Sequence, residues 1–205
     1  MKALLIGSTL LEELGIEEYK KIAEESLRIL GYEVFYPDLE AERKALILHS
    51  IGARILGSQS LKPIKYQAIE NDLVVYLTPC SLEAFREMKF STPVEEKTIY
   101  ELILPRVKLE LKGKALLACK RHRVRPGIKE ILSSYGLELE EDCIYPHMKI
   151  YDYNEYSRTR SKLVEAYRDY ILTCPYQAAL FKDEGVEYKE ILALAYHLLK
   201  SDGSD

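Results

Sequence analysis

Residues 73–85 read LVVYLTPCSLEAF, and residues 171–181 read ILTCPYQAALF. Each is an apolar run that halts at a cysteine beside a proline and then resumes with helical spacing. A strand that hands over to a helix through a short turn is the building unit of a parallel α/β sheet. Its occurrence at corresponding places in the two parts of the chain reads as an internal repeat.

Working outward from the first stretch, residues 2–6 (KALLI) predict a buried strand, and Gly7-Ser8-Thr9 supply turn and capping chemistry. Residues 16–30 place Ile16, Tyr19, Ile22, Ala23, Ser26, Leu27 and Leu30 on one helical face, with acids leading, Arg28 trailing and Gly31 as a stop. YEVFYP (32–37) reads as the next strand, 39–57 and 63–71 as helices, and 73–78 as a strand. From Lys112 the order restarts. KGKALLAC answers MKALLIGS, IKEILSSYG answers AEESLRILG, LELEEDCIYP answers YEVFYP, and 155–168 predict the helix before strand 169–173. STPVEEKTIYELIL (91–104) and GVEYKEILALAYHLL (185–199) read as amphipathic helices closing each half. The expected fold is α/β: two pseudo-twofold-related, Rossmann-like halves with parallel-sheet cores. The expected division is 1–108, 109–200 and a polar tail 201–205, with the linker near LPRVKLELKG (104–113).

The chain has 205 residues, is 47% apolar and carries a formal net charge of -4. That supports a sizeable core and argues against a dedicated nucleic-acid binder. No run reaches the length of a membrane span, and the first residues do not form a signal peptide, so a cytoplasmic protein without a membrane span is expected. Scarce Asn and Gln beside abundant Glu, Lys and Tyr lean toward a thermophile. Four cysteines argue against a disulfide framework, although the exception made by hyperthermophiles stays open.

Cys80, Cys119 and Cys174 fall at the ends of expected strands, and Cys143 falls in a following loop. In open parallel sheets, sites lie beyond the carboxyl ends of strands. A helix N-terminus there favours thiolate, the form that attacks or binds metal. Free cysteine is also a small buried hydrophobe, so inert packing is the competing reading.

With RILGYEVFYPDLE, VVYLTPCSLEAF and ILTCPYQAALF in place, the chain resembles the cysteine-rich CCG-domain family. That family includes the B subunit of heterodisulfide reductase, lactate-utilisation protein A and the C subunit of anaerobic glycerol-3-phosphate dehydrogenase. The resemblance implies two α/β halves, each with a Cys after its first strand, a Cys-Cys-Gly after its second and a Cys-x-x-Cys after a later one. It further implies an iron–sulfur cluster held by those thiolates. This chain departs from the pattern. Ser8 stands at the first cysteine position, LEAERKA replaces Cys-Cys-Gly, and the partner of Cys80 is Glu83. Cys119 remains, Cys143 keeps one place of the pair, and the partner of Cys174 is Gln177. Mapped onto these positions, the implied cofactor ligands are Cys80, Cys119, Cys143 and Cys174. The absence of a bound cofactor is the expected state.

Cys119, Cys143 and Cys174 converge if the repeat holds, and His147, His122 or Cys80 would complete a zinc or cluster site. Cys119 and Cys174 are also candidates for a catalytic thiol pair. CKRHRVRP (119–126) gathers Lys120, Arg121, Arg123 and Arg125 around His122, which suits an oxyanion, an acidic partner or a solvated face. MKIYDYNEYSRTR (148–160) suits a protein interface better than a nucleic acid, given the charge. No phosphate loop, H-E-x-x-H pair or Ser-His-acid set is identifiable. The expected function is an accessory subunit of an electron-transfer complex, partnered by an iron–sulfur or flavin subunit. If it is an enzyme, it is an oxidoreductase subunit. The alternatives are a non-redox interaction module that kept the fold only, or a thiol or zinc protein using the second-half cysteines.

Overall fold

The structure is a computed structural model that describes residues 1–9, 11, 17–50, 61–85, 94–116, 126–140, 170–171 and 189–202. The first strand, β1 (Lys2–Ile6), is buried on both faces. Ala3 and Leu5 join one core, while Leu4 and Ile6 join another. This is period-two alternation with apolar residues on both sides, as a strand inside a covered parallel sheet requires.

Helix α1 (Glu18–Ile29) buries Tyr19, Ala23, Ser26 and Leu27, the face expected from the spacing, and Ile22 and Leu30 pack at its margin. It closes at Gly31, whose φ of 84° lies in the left-handed region. The amide of Gly31 donates to the Arg28 carbonyl and that of Tyr32 to the Leu27 carbonyl, both at 3.0 Å. This paired closure reverses the chain into β2 (Glu33–Phe35).

Helices α2 (Leu39–Ser50) and α3 (Lys62–Ile69) then lead to β3 (Leu73–Tyr76) and α4 (Pro79–Phe85). β1 pairs in parallel with β2 and β3, and β3 with β4 (Glu95–Thr98), giving the sheet order β2-β1-β3-β4. Side chains of α2, α3 and α4 cover the face bearing Leu4, Ile6, Val74 and Tyr76. α1 and α5 (Ile99–Ile103) cover the face bearing Ala3, Leu5, Leu73 and Val75.

The stretch 91–104, expected as one helix, divides within its described part into β4 and α5. Among the described residues β4 pairs only with β3, and an edge strand tolerates charge on its exposed side, so EEKT need not be apolar. Thr98 then starts α5 with a capping box: its hydroxyl accepts from the Glu101 amide, and the Glu101 carboxylate accepts from the Thr98 amide at 2.6 Å.

A 3₁₀ turn (Leu104–Arg106) precedes the expected linker. That segment is extended and docked: Val107, Leu109 and Leu111 are buried, whereas Lys108, Glu110 and Lys112 are exposed. The hydroxyl of Tyr135 reaches back to the carbonyls of Leu104 and Val107, at 2.8 and 3.1 Å.

A second parallel sheet follows, in the order β6-β5-β7-β8. It consists of β5 (Gly113–Leu116), β6 (Leu137–Glu140), β7 (Tyr170–Ile171) and β8 (Lys189–Glu190). Between β5 and β6 runs α6 (Pro126–Ser134), which opens on a proline suited to the first helical turn. The stretch 185–199, also expected as one helix, contains β8 before α7 (Ile191–Asp202). One buried cluster includes residues of β1, α1, β3, α5, the docked linker, α6 and α7. The Tyr196 hydroxyl of α7 also hydrogen-bonds the Glu25 carboxylate of α1, which holds that carboxylate below its ordinary range.

Candidate functional site

In the first sheet the chain passes from β1 to β2 on one side and then returns to β3 on the other. The order therefore reverses between β1 and β3, and ligand crevices of open α/β sheets lie beyond the carboxyl ends of strands at such a point. Gly7, Ser8 and Thr9 leave β1 there, and Thr78 to Ser81 leave β3.

A carboxyl from α2 enters this place. Pro37 ends the preceding extended segment, and the Asp38 carboxylate caps α2 by accepting from the Ala41 amide at 2.8 Å. The Asp38 amide in turn donates to the Gln67 side-chain oxygen of α3 at 2.7 Å. Glu42 lies three and four residues before the buried Ala45 and Leu46, so it shares their inward face. It has no exposed surface. Its Oε1 accepts from the amides of Gly7 and Ser8, the latter at 3.2 Å.

Burial drives the Glu42 carboxyl up to about 7, and the Gly7 and Ser8 amides only partly offset it. The amide and hydroxyl of Thr9 act in the same direction as those amides, although the hydroxyl does not close a hydrogen bond. Glu42 Oε2, Ser8 Oγ and Thr9 Oγ1 are all buried and unpartnered. Three such atoms together are unusual, because buried polar groups normally find partners.

The other wall is α4. Thr78 Oγ1 accepts from the Ser81 amide at 3.1 Å, while Ser81 Oγ donates to the Thr78 carbonyl at 2.8 Å. This reciprocal cap fixes Ser81 against Gly7, and both Thr78 and Ser81 are buried.

The backbone of Cys80 lies in the first turn of α4, at the carboxyl end of β3, as expected; its side chain and that of Glu83 lie outside the described residues. Cys119, Cys143, Cys174 and His147, with the stretches 119–125 and 148–160, also lie outside them. In sequence, Cys119, Cys143 and Cys174 each stand three residues beyond the end of β5, β6 and β7. Those strands are parallel neighbours, so their carboxyl ends share one edge of the sheet.

The resemblance implies a thiolate-held cluster in the first half, and the residues there do not fit one. Ser8 and Glu42 offer hard oxygens, and one carboxylate oxygen is already committed to two main-chain amides. Among the described residues no group of three or more His, Cys, Asp or Glu could hold a metal ion, and no helix is long and apolar enough to cross a membrane.

A second buried carboxyl was not legible in the sequence. Glu190 ends β8, its Oε1 is shut off from solvent without a partner, and its pKa lies well above the ordinary range through burial and the nearby Glu18 carboxylate. Glu42 did leave a signal, its spacing to Ala45 and Leu46, but LEAERKA has the charge density of a solvated helix. Comparison of the chain with family models, with curated proteins and with solved structures finds no match in any of the three.

Proposed function

We propose that the protein is an accessory subunit of an electron-transfer assembly, built on two repeated α/β halves, whose first half has exchanged cluster chemistry for oxygen chemistry. The observation that carries this reading is Glu42 seated on the Gly7 and Ser8 amides, where the family pattern implies thiolates. The shared order of the two sheets, second strand, first, third, fourth, supports the pseudo-twofold relation and a boundary near residues 108–109. In this reading the partner is an iron–sulfur or flavin subunit in the cytoplasm, and the chain contributes surface and scaffold rather than a first-half redox centre.

A second reading is favoured by the spacing of Cys119, Cys143 and Cys174 behind three neighbouring parallel strands. There the second half keeps a thiol site for zinc or for thiol exchange, with His147 as a further ligand. Purification without air, followed by a visible spectrum and assays of iron, zinc and labile sulfide, separates the two. Colourless, metal-free protein supports the accessory reading. Zinc lost on Cys119→Ala or Cys174→Ala supports the second. Iron and sulfide lost on Cys80→Ala would overturn the claim that the first half has no cluster.

A further inference from the structure

We propose that the Gly7–Thr9 loop is a binding site for a tetrahedral oxyanion of the phosphate class, and that Glu42 is its tethered internal occupant. Consecutive main-chain amides at the carboxyl end of β1 point at one acceptor, the arrangement by which backbone loops hold anions. Its location between β1 and β3 is where a parallel sheet opens toward ligands.

The occupant matches the site only in part. One carboxylate oxygen takes both amides, while Ser8 Oγ, Thr9 Oγ1 and the second carboxylate oxygen are buried without partners. A tetrahedral oxyanion carries more acceptor oxygens than a carboxylate. It would satisfy the two amides and the two hydroxyls together. Ser8 is 2% exposed, so its unpaired hydroxyl is shut off from water inside the protein. Glu42 competes from a fixed position on a capped helix, and a tethered competitor acts at high effective concentration. Anion binding is thus coupled to withdrawal of the first turn of α2, which gives the site a built-in gate.

The test uses the full chain, with inorganic phosphate as the probe and chloride at matched ionic strength as control. Backbone amide shifts of Gly7 and Ser8 are followed by NMR in the wild type, Glu42→Ala and Glu42→Gln. In Glu42→Ala both amides move saturably with phosphate, with an affinity at least about tenfold above the wild type, a difference of about 1.4 kcal/mol. Glu42→Gln keeps an acceptor in place and stays as resistant as the wild type. Glu42→Ser provides the same readout in a second background if the alanine variant does not fold. Amides that fail to move in the Ala or Ser variant overturn the proposal. So do amides that move equally in all forms, because Glu42 would then not be the occupant that excludes the anion.

Discussion

Gly7 and Ser81 meet so closely that a Cβ built at residue 7 would lie 2.6 Å from Ser81 Cβ and 2.7 Å from Ser81 Oγ. Ser81 is not free to retreat, because its hydroxyl and amide are bonded to Thr78. Gly7 also has a φ of 111°, which L side chains rarely adopt. Gly7→Ala should therefore cost about 3 kcal/mol, from backbone strain and overpacking together. Denaturant unfolding should show this loss. A neutral Gly7→Ala would show that α4 does not close on β1 as described.

Glu42 makes stability depend on pH. Its carboxyl lies near 7 in the folded chain against the ordinary 4.5, so the folded state binds the proton more tightly. The associated stabilisation is complete below the unfolded value and is lost as pH rises through the folded one. From this group alone, stability should fall by about 3 kcal/mol between pH about 4.5 and pH about 7, then level off. Glu42→Gln lacks that slope and should be the more stable form at pH about 8. Paired melting curves across the range check it. Parallel curves for the two proteins would be inconsistent with a buried carboxyl.

The five-residue helix α5 depends on its first turn. Thr98→Ala removes the hydroxyl that accepts from the Glu101 amide and should cost about 1–2 kcal/mol. Thr98→Ser should restore most of it, which distinguishes lost capping from lost packing at this buried position. Chemical denaturation of the three forms gives the comparison.

Tyr135 ties the end of α6 to the segment leading out of the first sheet. Tyr135→Phe leaves the ring but removes contacts to the carbonyls of Leu104 and Val107, and should cost about 1 kcal/mol. Hydrogen exchange of residues 104–111 should speed up in the variant while β1 stays protected. Uniform change across the chain would mean that the hydroxyl has no local role.

Much of the frame was legible because hydrophobic spacing decides it. α1 lies within its expected range, and its buried face follows the expected spacing. β1 and β3 are the expected buried runs, and Cys80 follows β3. β4 was hidden because edge pairing imposes no apolar pattern on EEKT, and its merger with α5 made one helix of two elements. The segment 104–113, expected as a linker, is instead docked, because Val107, Leu109 and Leu111 bury alternately and draw it into the core. Glu42 escaped because charge marks a solvated face unless a cap fixes which way the helix is turned. Asp38 supplies that cap, and main-chain amides from a strand distant in sequence supply the partners.

The most direct single measurement is the titration of Glu42 followed through its ¹³C-labelled carboxyl by NMR, with Glu42→Gln used to assign the signal. A midpoint near neutrality, with the Gly7 and Ser8 amides shifting in step, is expected for a carboxyl sealed onto the end of β1. A midpoint in the ordinary carboxylate range, or amides that ignore the titration, would contradict the oxygen-based site on which both the proposed function and the gated anion site rest.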